Sequence, residues 1–162
     1  IIYKRGSVDI YQLKGSTWTR VGQRLEGKND RDEFGYSISL SSDGSILAAS
    51  EPIFDSRRGN VRVFRLLSGM VNGTFIEKWE PMGNDINVPN ETVAYFGASI
   101  SLSGNGKTLA IGGPSAGEFN IGRVHIFEYN DDTNKWTQMG EYIEGSELND
   151  YFGWDVSLSI DG

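Results

Sequence analysis

One segment constrains the fold more than any other, because it occurs three times. From Phe96 the chain reads Phe-Gly-Ala-Ser-Ile-Ser-Leu-Ser-Gly-Asn-Gly-Lys-Thr-Leu-Ala-Ile-Gly-Gly-Pro, ending at Pro114. Residues 34–52 are an earlier copy, and residues 152–162 match the first half of another. In the middle copy Phe96, Ala98, Ile100 and Leu102 alternate with Gly97, Ser99, Ser101 and Ser103. A period of two belongs to a strand, whose successive side chains point to opposite faces. The same alternation sets Phe34, Tyr36, Ile38 and Leu40 against Gly35, Ser37, Ser39 and Ser41. It also sets Phe152, Trp154, Val156 and Leu158 against Gly153, Asp155, Ser157 and Ser159. Asp43-Gly44, Asn105-Gly106 and Asp161-Gly162 then supply turn pairs that tolerate positive φ. Return strands at 46–50 and 108–112 end before Pro52 and Pro114. A solvated strand face usually carries longer polar side chains, so the Gly/Ser row predicts a face that another sheet approaches closely. No His or Lys accompanies these serines, and their repetition marks packing rather than a nucleophile.

Two further landmarks recur in fixed order. Gly6-Ser7-Val8-Asp9-Ile10-Tyr11 returns as Gly59-Asn60-Val61-Arg62-Val63-Phe64 and as Gly122-Arg123-Val124-His125-Ile126-Phe127. A Trp-centred strand follows each, at 18–22, 79–83 and 136–140. Trp18 to Trp79 spans 61 residues and Trp79 to Trp136 spans 57, the variation falling in loops, where insertions are tolerated. Each unit therefore has four strands. Residues 1–162 form one repeat domain, made of a partial unit 1–33, full units 34–95 and 96–151, and a partial unit 152–162. The expected fold is all-β, with four-stranded antiparallel repeats forming blades of a β-propeller, in a segment of a larger propeller or tandem array. A sandwich would not need the same four-strand order three times.

Composition excludes several partners. The chain has 162 residues, a formal charge of −7 and no cysteine. An acidic balance disfavours nucleic acid and anionic membrane, which need concentrated Lys and Arg. No apolar run approaches transmembrane length. Disulfides and thiolate metal sites are excluded.

The three-part pattern resembles the FG-GAP-like repeats of integrin-α-type β-propellers. The matching elements are Phe-Gly-x-Ser-Ile-Ser-Leu-Ser, then Leu-Ala-Ile-Gly-Gly-Pro at 109–114, then Gly-x-Val-x-Ile/Val-Phe. The resemblance covers nearly the whole chain and implies the propeller fold. Many members of that family hold calcium in an Asp-rich hairpin loop. Here the loops are Ser41-Ser42-Asp43-Gly44-Ser45 and Ser103-Gly104-Asn105-Gly106-Lys107, too poor in carboxylates for the several oxygen ligands calcium takes. The family's metal sites are therefore not carried over, and no metal or cofactor is expected.

Candidate chemistry is sparse, and no catalytic residue is assigned. His125 is the only histidine, and Asp9 and Arg62 hold its place in the other units, as on an exposed strand face. The acidic loops 26–33 and 144–150 could line one rim for a cation or glycan, but solvated loops account for them. Asp32 and Asp150 precede the Phe by two residues, where the middle unit has Ala94. Trp18, Trp79 and Trp136 could stack on sugars, yet their fixed place favours core anchors. Asn72-Gly73-Thr74 and Asn90-Glu91-Thr92 are N-glycosylation sequons, making Asn72 and Asn90 modification candidates.

These observations lead to an expectation of a non-enzymatic extracellular or cell-surface repeat module, used for adhesion, recognition or building a surface or fibrous structure. The alternative is a glycan-binding or glycan-processing propeller whose active loops lie outside the segment. Expected partners are other copies of the same repeat or chain, with glycans or extracellular proteins as further candidates. Counted by strands, the units hold two, four, four and one. That count predicts either an excerpt of a longer array or a protomer completed by its neighbours, since uncovered strand edges invite pairing.

Overall fold

The computed structural model describes residues 5–88 and 94–162. The chain is nearly all β, built from antiparallel sheets of two to five strands. At the N-terminal end β1 (Ser7–Val8) pairs with β4 (Leu25–Glu26), and β2 (Tyr11–Lys14) with β3 (Thr17–Arg20). A four-stranded sheet follows in the order β5 (Ile38–Leu40), β6 (Ile46–Glu51), β7 (Asn60–Val71), β8 (Thr74–Pro81). The next sheet repeats that order with β9 (Ser99–Leu102), β10 (Thr108–Gly113), β11 (Arg123–Asn130) and β12 (Lys135–Gln138). A short β13 (Ile143–Glu144) pairs with the start of β11.

The two four-stranded sheets pack face to face. Ile46, Ala48, Val61 and Val63 from the first meet Ile100, Leu102, Leu109, Ile111 and Phe127 from the second in one core cluster. The opposite face of the first sheet gives Leu47, Ala49 and Phe64 to a second cluster with Val8, Ile10, Val21 and Leu25. Sheet strands buried on both faces need apolar or small residues throughout, and all six residues of β6 are buried.

The serine rows lie at these sheet-to-sheet contacts, and their hydroxyls bond across them. Ser37 and Ser39 Oγ accept the backbone N–H groups of Ile100 and Leu102, at 3.2 and 2.9 Å. Ser99 and Ser101 Oγ accept those of Val156 and Leu158, at 3.1 and 2.9 Å. The last copy of the hairpin is held mainly this way. No strand is assigned over residues 152–162, yet Gly104 also donates its N–H to the Ile160 carbonyl at 2.8 Å. Small side chains thus permit the approach, and their hydroxyls satisfy donors on the free edge of the next unit's first strand.

The tryptophans clamp successive units. Trp79 Nε1 donates to the Val21 carbonyl at 3.0 Å, and Trp136 Nε1 to the Met82 carbonyl at 2.9 Å. Gly22 and Gly83, both at positive φ, leave the space these indoles fill; an added Cβ would lie 2.6 and 2.9 Å from the Trp79 and Trp136 Cδ1 atoms.

One hairpin departs from the expected strand limits. β7 and β8 extend to Val71 and Thr74, well past the landmark segments at 59–64 and 79–83. Asn72 and Gly73 at the tip have φ of 49° and 79°, the left-handed pair of a type I′ turn, whose twist suits long paired strands.

Candidate functional site

The three Phe-Gly dipeptides are joined to the preceding unit by the same contact. Gly6 bridges Phe34, Gly59 bridges Phe96, and Gly122 bridges Phe152, each in parallel. The approach is so close that a Cβ on Gly59 would sit 2.1 Å from the Phe96 carbonyl oxygen. The residue just before each Phe takes the left-handed conformation: Glu33 at φ 61°, Tyr95 at 49° and Tyr151 at 51°. Non-glycine residues pay about 1–2 kcal/mol for that region. A turn bond closes each corner, from Tyr36 N–H to the Glu33 carbonyl, Ala98 to Tyr95, and Trp154 to Tyr151.

These corners border a cavity of about 420 Å³ lined by Glu33, Tyr36, Tyr95, Ala98 and Trp154, with Pro52, Ile53, Pro114 and Ser115. Its lining is repeat-equivalent. Glu33 and Tyr95 hold one position of the unit, Tyr36, Ala98 and Trp154 another, and Pro52 and Pro114 a third. A volume in the range of small-ligand sites, apolar walls and a few polar groups make it the leading binding-site candidate. Two of the rings have fixed neighbours. The Arg57 guanidinium lies 5.5 Å from the Tyr95 ring centre, and Tyr151 packs edge-to-face on Trp154 at 6.2 Å. Tyr36 and Trp154 are largely exposed. Ala98 leaves room where the other two units carry a ring.

The residues singled out from sequence lie elsewhere. His125 is 3% exposed, which corrects the expectation of an exposed strand face. Its ring packs between Phe96 and Tyr142, with centroids 5.6 Å from each, and Nδ1 lies 3.2 Å from Gln138 Oε1. Arg62, at the equivalent position, stacks 4.1 Å above the Phe34 ring and binds Glu51 Oε1 at 2.7 Å. Glu51 is fully buried and also accepts Asn60 Nδ2 at 2.9 Å. Asp9 is bound by Arg24 at 2.7 Å, which holds its carboxyl below the usual range. The three charges differ because each unit supplies its own partner.

The acidic loops are engaged locally. Asp32 is buried and accepts Asn29 Nδ2 at 2.8 Å. Asp150 accepts the N–H groups of Ser146 and Glu147, both at 2.9 Å, and these bonds lower its pKa. Trp79 and Trp136 are core anchors as expected, whereas Trp18 is 66% exposed, a correction for that residue. The clamp explains the difference: Trp79 and Trp136 each have a carbonyl of the preceding unit to bond, and Trp18 lies in the first unit of the chain. Asn72 sits exposed at the β7–β8 tip, and Asn90 lies outside the described residues. In the hairpin loops Asp43 Oδ1 accepts Ser41 Oγ at 2.7 Å and Ser45 N–H at 2.9 Å. Asn105 Oδ1 does the same with Ser103 Oγ and Lys107 N–H, both at 2.8 Å.

Sequence reasoning missed Glu33, Tyr36, Tyr95 and Trp154. A signal was present: Tyr36, Ala98 and Trp154 occupy the variable position of the Phe-Gly-x-Ser motif. A position that swings between alanine and the largest side chains answers to a local cavity rather than to the shared packing.

No protein-family model matches the chain, and no curated protein matches it. Among solved structures it is similar to one described as a "putative 6-phosphogluconolactonase" from Bacteroides fragilis, at 21% identity and a TM-score of 0.49. That match covers 92% of this chain and 36% of the other, so the chain spans about a third of that structure's length. The expectation of a non-enzymatic extracellular adhesion module is corrected here. The solved structure found carries an enzyme's name, and none of the comparisons supports adhesion or an extracellular setting. The same likeness is too distant to assign an activity to this chain.

Proposed function

We propose that the chain is a segment of a β-propeller that binds a small, neutral, polyhydroxylated ligand of the carbohydrate type at the Phe-Gly end. One observation carries this reading: three successive units bring equivalent residues to one cavity, with Tyr36, Tyr95 and Trp154 in its lining. In this reading the four-stranded sheets are blades, and the Phe-Gly corners lie where blades converge. Aromatic faces suit the C–H face of a sugar ring, burying apolar area while leaving its hydroxyls free. Glu33 supplies a carboxylate acceptor for two hydroxyl donors, and Ser115 both donates and accepts. The carboxylate also selects against acidic ligands, as does the charge of −7. The cost of the left-handed Glu33 and Tyr95 is consistent with a site that fixes its side chains before the ligand arrives.

The experiment is calorimetric titration with neutral hexoses, N-acetylhexosamines and hexuronic acids. Binding by a neutral member, weakened at least about tenfold (1.4 kcal/mol) in Trp154→Ala, is expected. Equal affinity in the wild type and Trp154→Ala, or preference for the uronic acids, would contradict it.

A further inference from the structure

The second large hollow of the molecule lies between the N-terminal sheet and β5. It measures about 430 Å³ and is lined by Ile10, Tyr11, Val21, Leu40 and Leu66 among others. We infer that this groove is a docking site for a Phe-Gly hairpin of the kind the chain itself carries, added as strands beside β2 and over β5.

The neighbouring interface shows what fills such a groove. Between the two four-stranded sheets, β6 pairs along β7, and the Leu66 N–H donates to the Ser45 carbonyl at 2.8 Å. In the next unit the Tyr129 N–H donates to the Lys107 carbonyl at 2.9 Å. The equivalent residue of the first unit is Leu13, on β2, and β2 pairs only with β3 among the described strands. An unpaired strand edge is a template for an incoming strand.

The apolar floor of the groove agrees. Ile100 and Leu102 are each 6% exposed, covered by the first sheet. Ile38 and Leu40, their counterparts, are 53% and 44% exposed. The chemistry of the occupant follows from the same comparison. Ser37 and Ser39 hydroxyls accept the Ile100 and Leu102 N–H groups, so a strand over Ile38 and Leu40 needs hydroxyls at alternate positions. A strand returning along β2 needs the small apolar pattern of β6 and β10, Leu47-Ala48-Ala49 or Leu109-Ala110-Ile111. A Ser-row hairpin meets both requirements, whereas a helix or an acidic peptide meets neither.

The test extends the full chain before Ile1 with a second copy of residues 96–116, which keeps the repeat's spacing because residues 117–121 precede Gly122 as residues 1–5 precede Gly6. Hydrogen exchange of the Tyr11, Leu13, Ile38 and Leu40 amides is expected to slow at least about tenfold. A control extension has the same composition, with each Ser of the first strand exchanged for its apolar neighbour, and is expected to leave those amides unchanged. As a second measurement on the unmodified chain, a synthetic peptide of residues 96–113 in excess should protect the same amides. Protection by the native-register sequence alone, in either format, supports the inference. Absence of protection in both formats, or equal protection by the exchanged control, overturns it.

Discussion

Ser39 Oγ accepts the backbone N–H of Leu102 at 2.9 Å, joining two sheets through a side chain that a packing pattern alone would read as filler. Ser101 makes the same bond to Leu158 at 2.9 Å. If size were all that mattered, alanine would serve at either position. Ser39→Ala is instead expected to cost about 1–2 kcal/mol, because it leaves the N–H of buried Leu102 without its acceptor. Chemical denaturation measures the difference, and a midpoint unchanged from wild type would reduce the serine rows to packing.

Gly59 and Gly69 are predicted to behave oppositely. At Gly59, φ is 87° and an alanine Cβ would meet the Phe96 carbonyl oxygen at 2.1 Å, whereas at Gly69 nothing lies within 4 Å. Gly59→Ala should destabilise by more than about 3 kcal/mol, combining a backbone clash with a disfavoured φ. Gly69→Ala should stay within about 1 kcal/mol of wild type. Thermal melts of the pair decide this.

Acid should loosen the first hairpin loop through Asp43. Hydrogen bonds from the Ser41 hydroxyl and from the Ser45 N–H and hydroxyl lower its pKa to about 2. An unfolded aspartate titrates near about 3.9. The folded state therefore binds the proton less readily, and the stabilisation, present in full above about pH 4, is lost as pH falls through about 2. Asp43→Asn should remove this pH dependence while keeping the loop, since Asn105 makes the equivalent bonds with a neutral oxygen. Melting curves of both proteins between about pH 5 and pH 2 give the comparison; parallel curves would contradict it.

Much of the framework was legible because it depends on period and on small residues. The alternation in residues 96–102 and the Asn105-Gly106 turn specify β9 and the corner into β10 without reference to other parts of the chain. The Trp anchors were legible for Trp79 and Trp136, because a large aromatic in every unit must be buried somewhere. His125 and Arg62 were misread because their partners change with them. Glu51 and Phe34 serve Arg62, while Phe96, Tyr142 and Gln138 surround His125. A column of dissimilar charges then resembles a solvated face. The length of β7 was hidden by Ser68 and Gly69, which read as loop but continue the ladder opposite Glu77 and Ile76. The cavity was hidden for another reason: Glu33, Tyr36, Tyr95 and Trp154 converge only through the backbone corners, which no local pattern encodes.

Glu33 offers a separation of stability from binding. Its left-handed φ of 61° is strained for any residue with a Cβ. Glu33→Gly should raise stability by up to about 1 kcal/mol, the relieved strain being partly offset by the greater freedom of glycine in the unfolded chain. The same change should weaken sugar binding. A variant that is less stable than wild type, or that binds equally well, would show that the corner is not held for a ligand.

The most direct measurement follows the four indole N–H resonances by two-dimensional NMR while the panel of neutral sugars is added. Trp79 and Trp136 bond the Val21 and Met82 carbonyls in the core, Trp18 is exposed in the first unit, and Trp154 lines the cavity. At least one neutral sugar is predicted to shift the Trp154 resonance saturably while the Trp79, Trp136 and Trp18 resonances stay in place. A Trp154 resonance unmoved by every member of the panel, or a response confined to Trp18, would contradict a ligand site at the Phe-Gly end.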